Sequence, residues 1–186
     1  MKVKFTAFDS ENKEVAYEYG NWYELEKTHN SQRLKIGPST DHIDLLLKLA
    51  QTLNPPYYVL YVLVVTRLGN EYGRYQSPII DTKEELSHFL LSYQDYFETD
   101  GRHHVWIGTV DNSGLLIYDQ HNVIYAYGSL NSQQALLNKL GFKAGNFNFP
   151  IPHMHYYHPE NDLLEKDILL HWDWEQYPLE DSDLYD

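Results

Sequence analysis

The chain contains no cysteine in its 186 residues. That absence removes disulfides, thiolate nucleophiles, cysteine zinc ribbons and iron–sulfur clusters together. It also suits a reducing compartment, and a cytoplasmic location is expected. Long apolar runs are missing as well. The most apolar stretch, Tyr57 to Val65, is far shorter than the ~20 residues a membrane-spanning helix needs. Met1 to Phe5 carries early positive charge, but Asp9, Glu11 and Glu14 stand where the apolar region of a secretory signal would lie. No membrane association is therefore expected.

Positive charge is scarce. Lys and Arg number 14 against 27 Asp and Glu, a formal net charge of −13. Such a field repels phosphate backbones, so nucleic acid is not an expected partner, whereas a basic protein is. Familiar catalytic fingerprints are also lacking. There is no phosphate-cradling glycine loop, no GxGxxG and no nucleophile-elbow serine. These gaps favour a noncatalytic protein. Flexible linkers, internal repeats and low-complexity tracts are absent, so residues 1–186 read as one domain. The acidic end, about 176–186, reads as a mobile tail.

Tyrosine is abundant, with 17 copies. Its apolar face and polar tip serve both strands and interfaces, and exposed copies would also serve a homo-oligomer. Val3, Phe5 and Ala7 alternate with polar residues, which predicts a strand. Val15 to Tyr19 reads as its hairpin partner. Residues 20–38 show no clear pattern.

Helices are predicted over about 41–53, 82–97, 132–140 and 159–172. The first carries Ile43, Leu46, Leu47, Ala50 and Leu53 at helical spacing and stops at Asn54-Pro55-Pro56. The second opens on a capping box, Thr82 to Glu85. The third ends at Gly141, and the fourth starts at Pro159. Tyr57 to Arg67 reads as a central strand. Residues from about 103 to 127 read as a three-strand meander, with turns at Asp111–Gly114 and Asp119–Asn122. The expected class is α+β with a mainly antiparallel sheet.

Two constellations could carry chemistry. The segment Pro150 to Glu160 holds His153, His155 and His158. Residues two apart on an extended chain point the same way, so His153 and His155 form a pair that His158 joins if the chain bends. Neutral imidazoles suit a divalent transition metal such as zinc, with Glu160 adding an oxygen. The competing reading is a proline-bounded surface loop. In the Asp119–Asn122 turn, Asp119 could orient His121, or it could simply satisfy turn backbone donors. A meander can bring His103 or His104 to the same sheet end. Zinc is thus the cofactor to test, with His121, His153, His155 and His158 as ligands and Asp119 and Glu160 as supporting carboxylates.

A partner surface is the other candidate. Trp172, Trp174 and Glu175 set indoles beside carboxylates, and Glu180, Asp181 and Asp183 extend the negative field. Aromatic anchors and charge together suit a basic protein. In size, charge and architecture the chain resembles the small acidic immunity proteins that neutralise bacterial toxins. That likeness is compositional and transfers no residues. The first functional expectation is an acidic, immunity-type interaction protein; the second is a histidine-ligated metal-dependent hydrolase.

Overall fold

Alternation and capping in the chain generate twelve short strands and five α-helices, described for residues 2–29 and 31–184 in a computed structural model. In chain order they are β1 (Phe5–Phe8), β2 (Glu14–Ala16), β3 (Trp22–Lys27), β4 (Gln32–Gly37), α1 (His42–Ala50), β5 (Tyr57–Leu63) and β6 (Gly73–Gln76). Then come α2 (Lys83–Ser92), α3 (Gln94–Thr99), β7 (His103–Thr109), β8 (Leu115–Tyr118), β9 (Ile124–Tyr127) and α4 (Leu130–Lys139). The chain continues through β10 (Lys143–Ala144), β11 (His153–His155), α5 (Asp162–Leu169) and β12 (Glu175–Tyr177). The class is α+β, as expected.

The large sheet has strand order β10-β3-β4-β9-β8-β7-β5-β6-β12. All of its ladders are antiparallel except β10 against β3. The predicted meander forms its centre as β7, β8 and β9. A separate three-stranded antiparallel sheet has the order β11-β1-β2. It includes the strand predicted from the alternation of Val3, Phe5 and Ala7, and a hairpin partner that starts one residue earlier and ends three residues earlier than the predicted Val15 to Tyr19.

One face of the large sheet is the core. Val59, Tyr61, Val105, Ile107, Leu116 and Ile124 pack with Ile43, Leu46 and Leu49 of α1, Phe89 of α2, Phe97 of α3, Leu137 of α4 and Ile168 of α5. The opposite face carries Trp106, Ile117 and Tyr125, each half-buried. A second, smaller cluster of Phe5, Tyr19, Val123 and Phe147 joins the small sheet to the β8–β9 end.

Two expectations change. The described part of the segment 20–38 pairs β3 with β4, with Leu34 and Ile36 fully buried. Glu24, Glu26, Lys27 and Arg33 line its wetter positions and mask the period-two signal. The helix predicted over 82–97 is two helices. Thr82 caps the first through Glu85 N–H. The break falls at Tyr93, whose ring packs on Phe89 and His171 and whose hydroxyl lies 3.1 Å from His171 Nδ1.

A buried ion cluster ties the layers. The side chains of Arg102, Asp100 and Glu165 are all 0% exposed. Arg102 donates to both oxygens of Asp100 at 2.7 and 3.0 Å, to Glu165 at 2.6 Å, to Asp162 at 3.0 Å and to the His158 carbonyl at 3.0 Å. Removing one member of a buried network leaves charges without compensation. Arg102→Met is therefore expected to destabilise the fold by ~3–5 kcal/mol in urea unfolding.

Burial also sets a pH response. His42, at the start of α1, stacks on Tyr118. Burial, reinforced by the Lys4 charge and opposed by Asp41 and Asp119, lowers its pKa to about 3. His103 is fully buried against Tyr96, and burial likewise lowers it well below the ordinary value. The unfolded chain binds these protons first, so the stabilisation is present above pH ~6.5 and is lost as pH falls towards the folded values. Between pH 6.5 and 5, protonation of His42 in the unfolded chain removes on the order of 1–2 kcal/mol, and His103 acts in the same direction. Urea midpoints should fall over that window, and His42→Gln should make the fall shallower.

Candidate metal centre

The β8–β9 turn is built by a carboxylate. Asp119 Oδ1 accepts the backbone N–H of His121 at 2.9 Å and of Val123 at 2.8 Å. Asn122 adopts the left-handed conformation, φ 61°, and receives the Tyr118 hydroxyl at 2.6 Å. Asp119 Oδ2 lies 3.5 Å from His121 Nδ1. One oxygen of Asp119 thus serves the turn backbone, while the other faces the His121 ring. Burial would raise the Asp119 pKa, but the His121 hydrogen bond and charge, then His104 and the Val123 N–H, hold it below the ordinary value.

Lys4 secures the turn from below. It is fully buried, its Nζ donates to the Asp119 carbonyl at 2.9 Å, and it sits 3.9 Å from the Tyr118 ring centroid. Burial lowers its pKa to about 7, against the opposing charges of Asp119, Asp100 and Glu98.

The second arm is β11. Its antiparallel register with β1 sets Ala7 opposite His153 and Phe5 opposite His155. The two histidines share one side, while Met154 points outward at 42% exposure. Past the strand, Tyr156 N–H donates to the Lys4 carbonyl and Gly101 N–H to the Tyr156 carbonyl, at 3.0 and 2.9 Å. His158 N–H donates to Asp100 Oδ2 at 2.9 Å.

The two arms meet. One ring nitrogen from each of His121, His153 and His155 lies within 4.8 Å of the other two. Ring centroids are 5.2 Å apart for His121–His153, 4.8 Å for His121–His155 and 4.9 Å for His153–His155. Tetrahedral zinc with bonds of 2.0–2.1 Å spaces its ligands ~3.3 Å apart, so side-chain adjustments of ~1.5 Å close the set. With Nδ1 facing Asp119 at 3.5 Å, Nε2 is on the far side of the His121 ring, an arrangement in which a carboxylate would fix the tautomer of a metal ligand. Phe149 packs 4.1 Å from His121 and 4.4 Å from His153, and Phe5 lies beneath, giving the set an apolar surround.

Other expected site residues lie elsewhere. His158 does not join the set; its Nε2 donates to the Val3 carbonyl at 3.0 Å. Glu160 is exposed and pairs with Lys2 at 3.5 Å. His103 points into the core, whereas His104, on the opposite face, lines a pocket with Asp119 and His121. The indole of Trp172 stacks on Phe89 at 4.3 Å, and Trp174 Nε1 donates to the Ile168 carbonyl at 2.9 Å. Asp183 and Glu180 both pair with Arg74, at 2.8 and 2.6 Å. Glu175 receives the Tyr177 hydroxyl at 2.7 Å, and Asp181 begins a short 3₁₀ turn. Lys4, Gly101, Arg102 and Phe149 are supporting residues that sequence reasoning missed; only the early alternation of Lys4 with Phe5 hinted at any of them.

Comparison of the chain with protein-family models, curated proteins and solved structures finds no match. Among the described residues no helix is long and apolar enough to cross a membrane.

Gly101 tests the packing beneath the site. A Cβ there would meet the Lys4 carbonyl at 2.8 Å and His155 Nδ1 at 3.0 Å. Backbone must move to admit it. Gly101→Ala is expected to cost ~1–3 kcal/mol, measured by thermal melting, and to weaken metal binding in the variant that remains folded.

Proposed function

We propose that the protein is a metal-dependent hydrolase that binds a divalent transition metal, zinc foremost, through His121, His153 and His155. The observation that carries this reading is the convergence of three imidazoles from two segments far apart in sequence. Three neutral histidines leave a fourth tetrahedral position open, which is the ligand count of a catalytic rather than a closed structural zinc. An ion held there by His121, His153 and His155 would lower the pKa of a coordinated water to about 7 and so would supply a nucleophile near neutral pH. Asp119 holds the His121 ring in its orientation, and Phe5 and Phe149 limit solvent around the ligands.

The interaction reading keeps its support from the net charge of −13. Its expected anchors are engaged within the fold, because the Trp172 and Trp174 indoles pack inward and Asp183 and Glu180 grip Arg74. The histidine set therefore takes precedence.

Untagged protein titrated with zinc should bind a single ion, read by calorimetry and by elemental analysis after dialysis. His153→Ala with His155→Ala should abolish it, and Asp119→Asn should weaken it by about 10–100-fold. Zinc-loaded protein should hydrolyse 4-nitrophenyl acetate faster than the double variant. Equal zinc uptake by the parent and the double variant would overturn the site.

A further inference from the structure

Beside the metal ligands, the uncovered face of the large sheet forms a cavity of about 280 Å³. That is close to the lower limit of small-molecule sites, ~300–1,000 Å³. Asp119 and His121 line one part of it. The floor is a row across three strands. Trp106 on β7 stands opposite Ile117 on β8, which stands opposite Tyr125 on β9. All three are half-buried and lie on the face away from the helices. Two aromatic residues flank an aliphatic one, and guanidinium groups lie over both rings, Arg74 at 5.3 Å from the Trp106 centroid and Arg33 at 4.1 Å from that of Tyr125, so the apolar place for a planar ring is over Ile117 between them.

The charges of the cavity are unevenly spent. Asp183 on the rim is held by Arg74 through both carboxylate oxygens, each at 2.8 Å. Asp119 is taken up by two backbone donors and by His121. Arg33 lies 4.1 Å from the Tyr125 ring centroid. Its Nε binds Glu26 at 2.7 Å and its Nη1 the Tyr127 hydroxyl at 3.1 Å, while Nη2 has no hydrogen bond among the described residues. A divalent ion held by neutral imidazoles would add two positive charges at the other side. Arg33 is itself paired with Glu26, so on a chain of net charge −13 it is that ion, with the Arg33 Nη2 beside the cavity, that would draw a small anion there.

We propose that this cavity is the ligand subsite of the metal centre and takes a small aromatic carboxylate. The ring lies over Ile117 between Trp106 and Tyr125, and the carboxylate meets the Arg33 guanidinium. The proposal rests on the three-histidine reading for its link to catalysis, while Arg33 and the aromatic row make a separate claim about ligand chemistry.

Calorimetric titration with 4-hydroxybenzoate and with phenol separates the two. The zinc-loaded and metal-free forms are both titrated, and zinc content is measured in the same samples. The carboxylate is expected to bind at least about tenfold tighter than phenol, and Arg33→Gln to remove most of that preference. Tyr125→Leu, which keeps an apolar side chain, should weaken both ligands, and melting curves would verify that each variant is folded. Bound zinc with no preference for 4-hydroxybenzoate over phenol would overturn the subsite and leave the metal centre standing. No bound zinc, with an Arg33-dependent preference intact, would overturn the metal centre and sustain the subsite. A preference unchanged by Arg33→Gln would also overturn it.

Discussion

The Arg102 guanidinium is the constraint on which the arrangement of this molecule depends. It is wholly buried, yet it meets Asp100, Glu165, Asp162 and the His158 carbonyl within 3.0 Å. A planar fork with five donors can bind several acceptors at once in a fixed geometry, which an ammonium cannot do. The energetic return of such a cluster over an apolar one is small, because desolvation offsets attraction. Its effect is geometric. Arg102 opens the central meander, Glu165 belongs to α5, and Asp100 also accepts His158 N–H. One side chain thereby fixes the helix layer, the sheet and the segment that follows the two histidines of β11.

From that anchor the three candidate ligands are placed by backbone, not by loops hanging free. Gly101 and Lys4 receive the chain at Tyr156 through main-chain hydrogen bonds, and β1 pairs with β11 directly beneath the rings. Lys4 then reaches the Asp119 carbonyl on the opposite arm. The same strand therefore braces both halves of the site. A bound metal would cross-link residues 121 and 155 across that brace, so metal binding would stabilise the folded state by mass action.

The elements legible in the sequence were those with local causes. Proline stops, the Thr82 cap and the Asp119 turn are decided within a few residues, and their positions follow from them. The spacing of His153 and His155 is equally local, since a period of two places both on one side of a strand. What could not be read was pairing across the chain. Nothing near His121 signals β11, because β1 brings them together from more than a hundred residues away in sequence. Arg102 sits in Gly101-Arg102-His103-His104 with no local mark of burial, since its partners are distributed over Asp100, His158 and α5. The β3–β4 hairpin was obscured because its charged side chains dilute the alternation that Leu34 and Ile36 carry.

The acidity takes a different meaning in three dimensions. Read along the chain, Glu180, Asp181 and Asp183 extend a negative end. Folded, Asp183 is 3% exposed, clamps Arg74 with both oxygens, and offers its carbonyl to His104 Nε2 at 3.2 Å. Glu180 adds a third contact to the same guanidinium. Arg74 is drawn over Trp106, at 5.3 Å from its ring centroid. These carboxylates thus spend their charge on Arg74, and Asp183 forms part of the wall of the cavity beside His121. Arg33, paired with Glu26 at 2.7 Å, lines the same cavity, so both signs of charge at its rim are engaged within the fold.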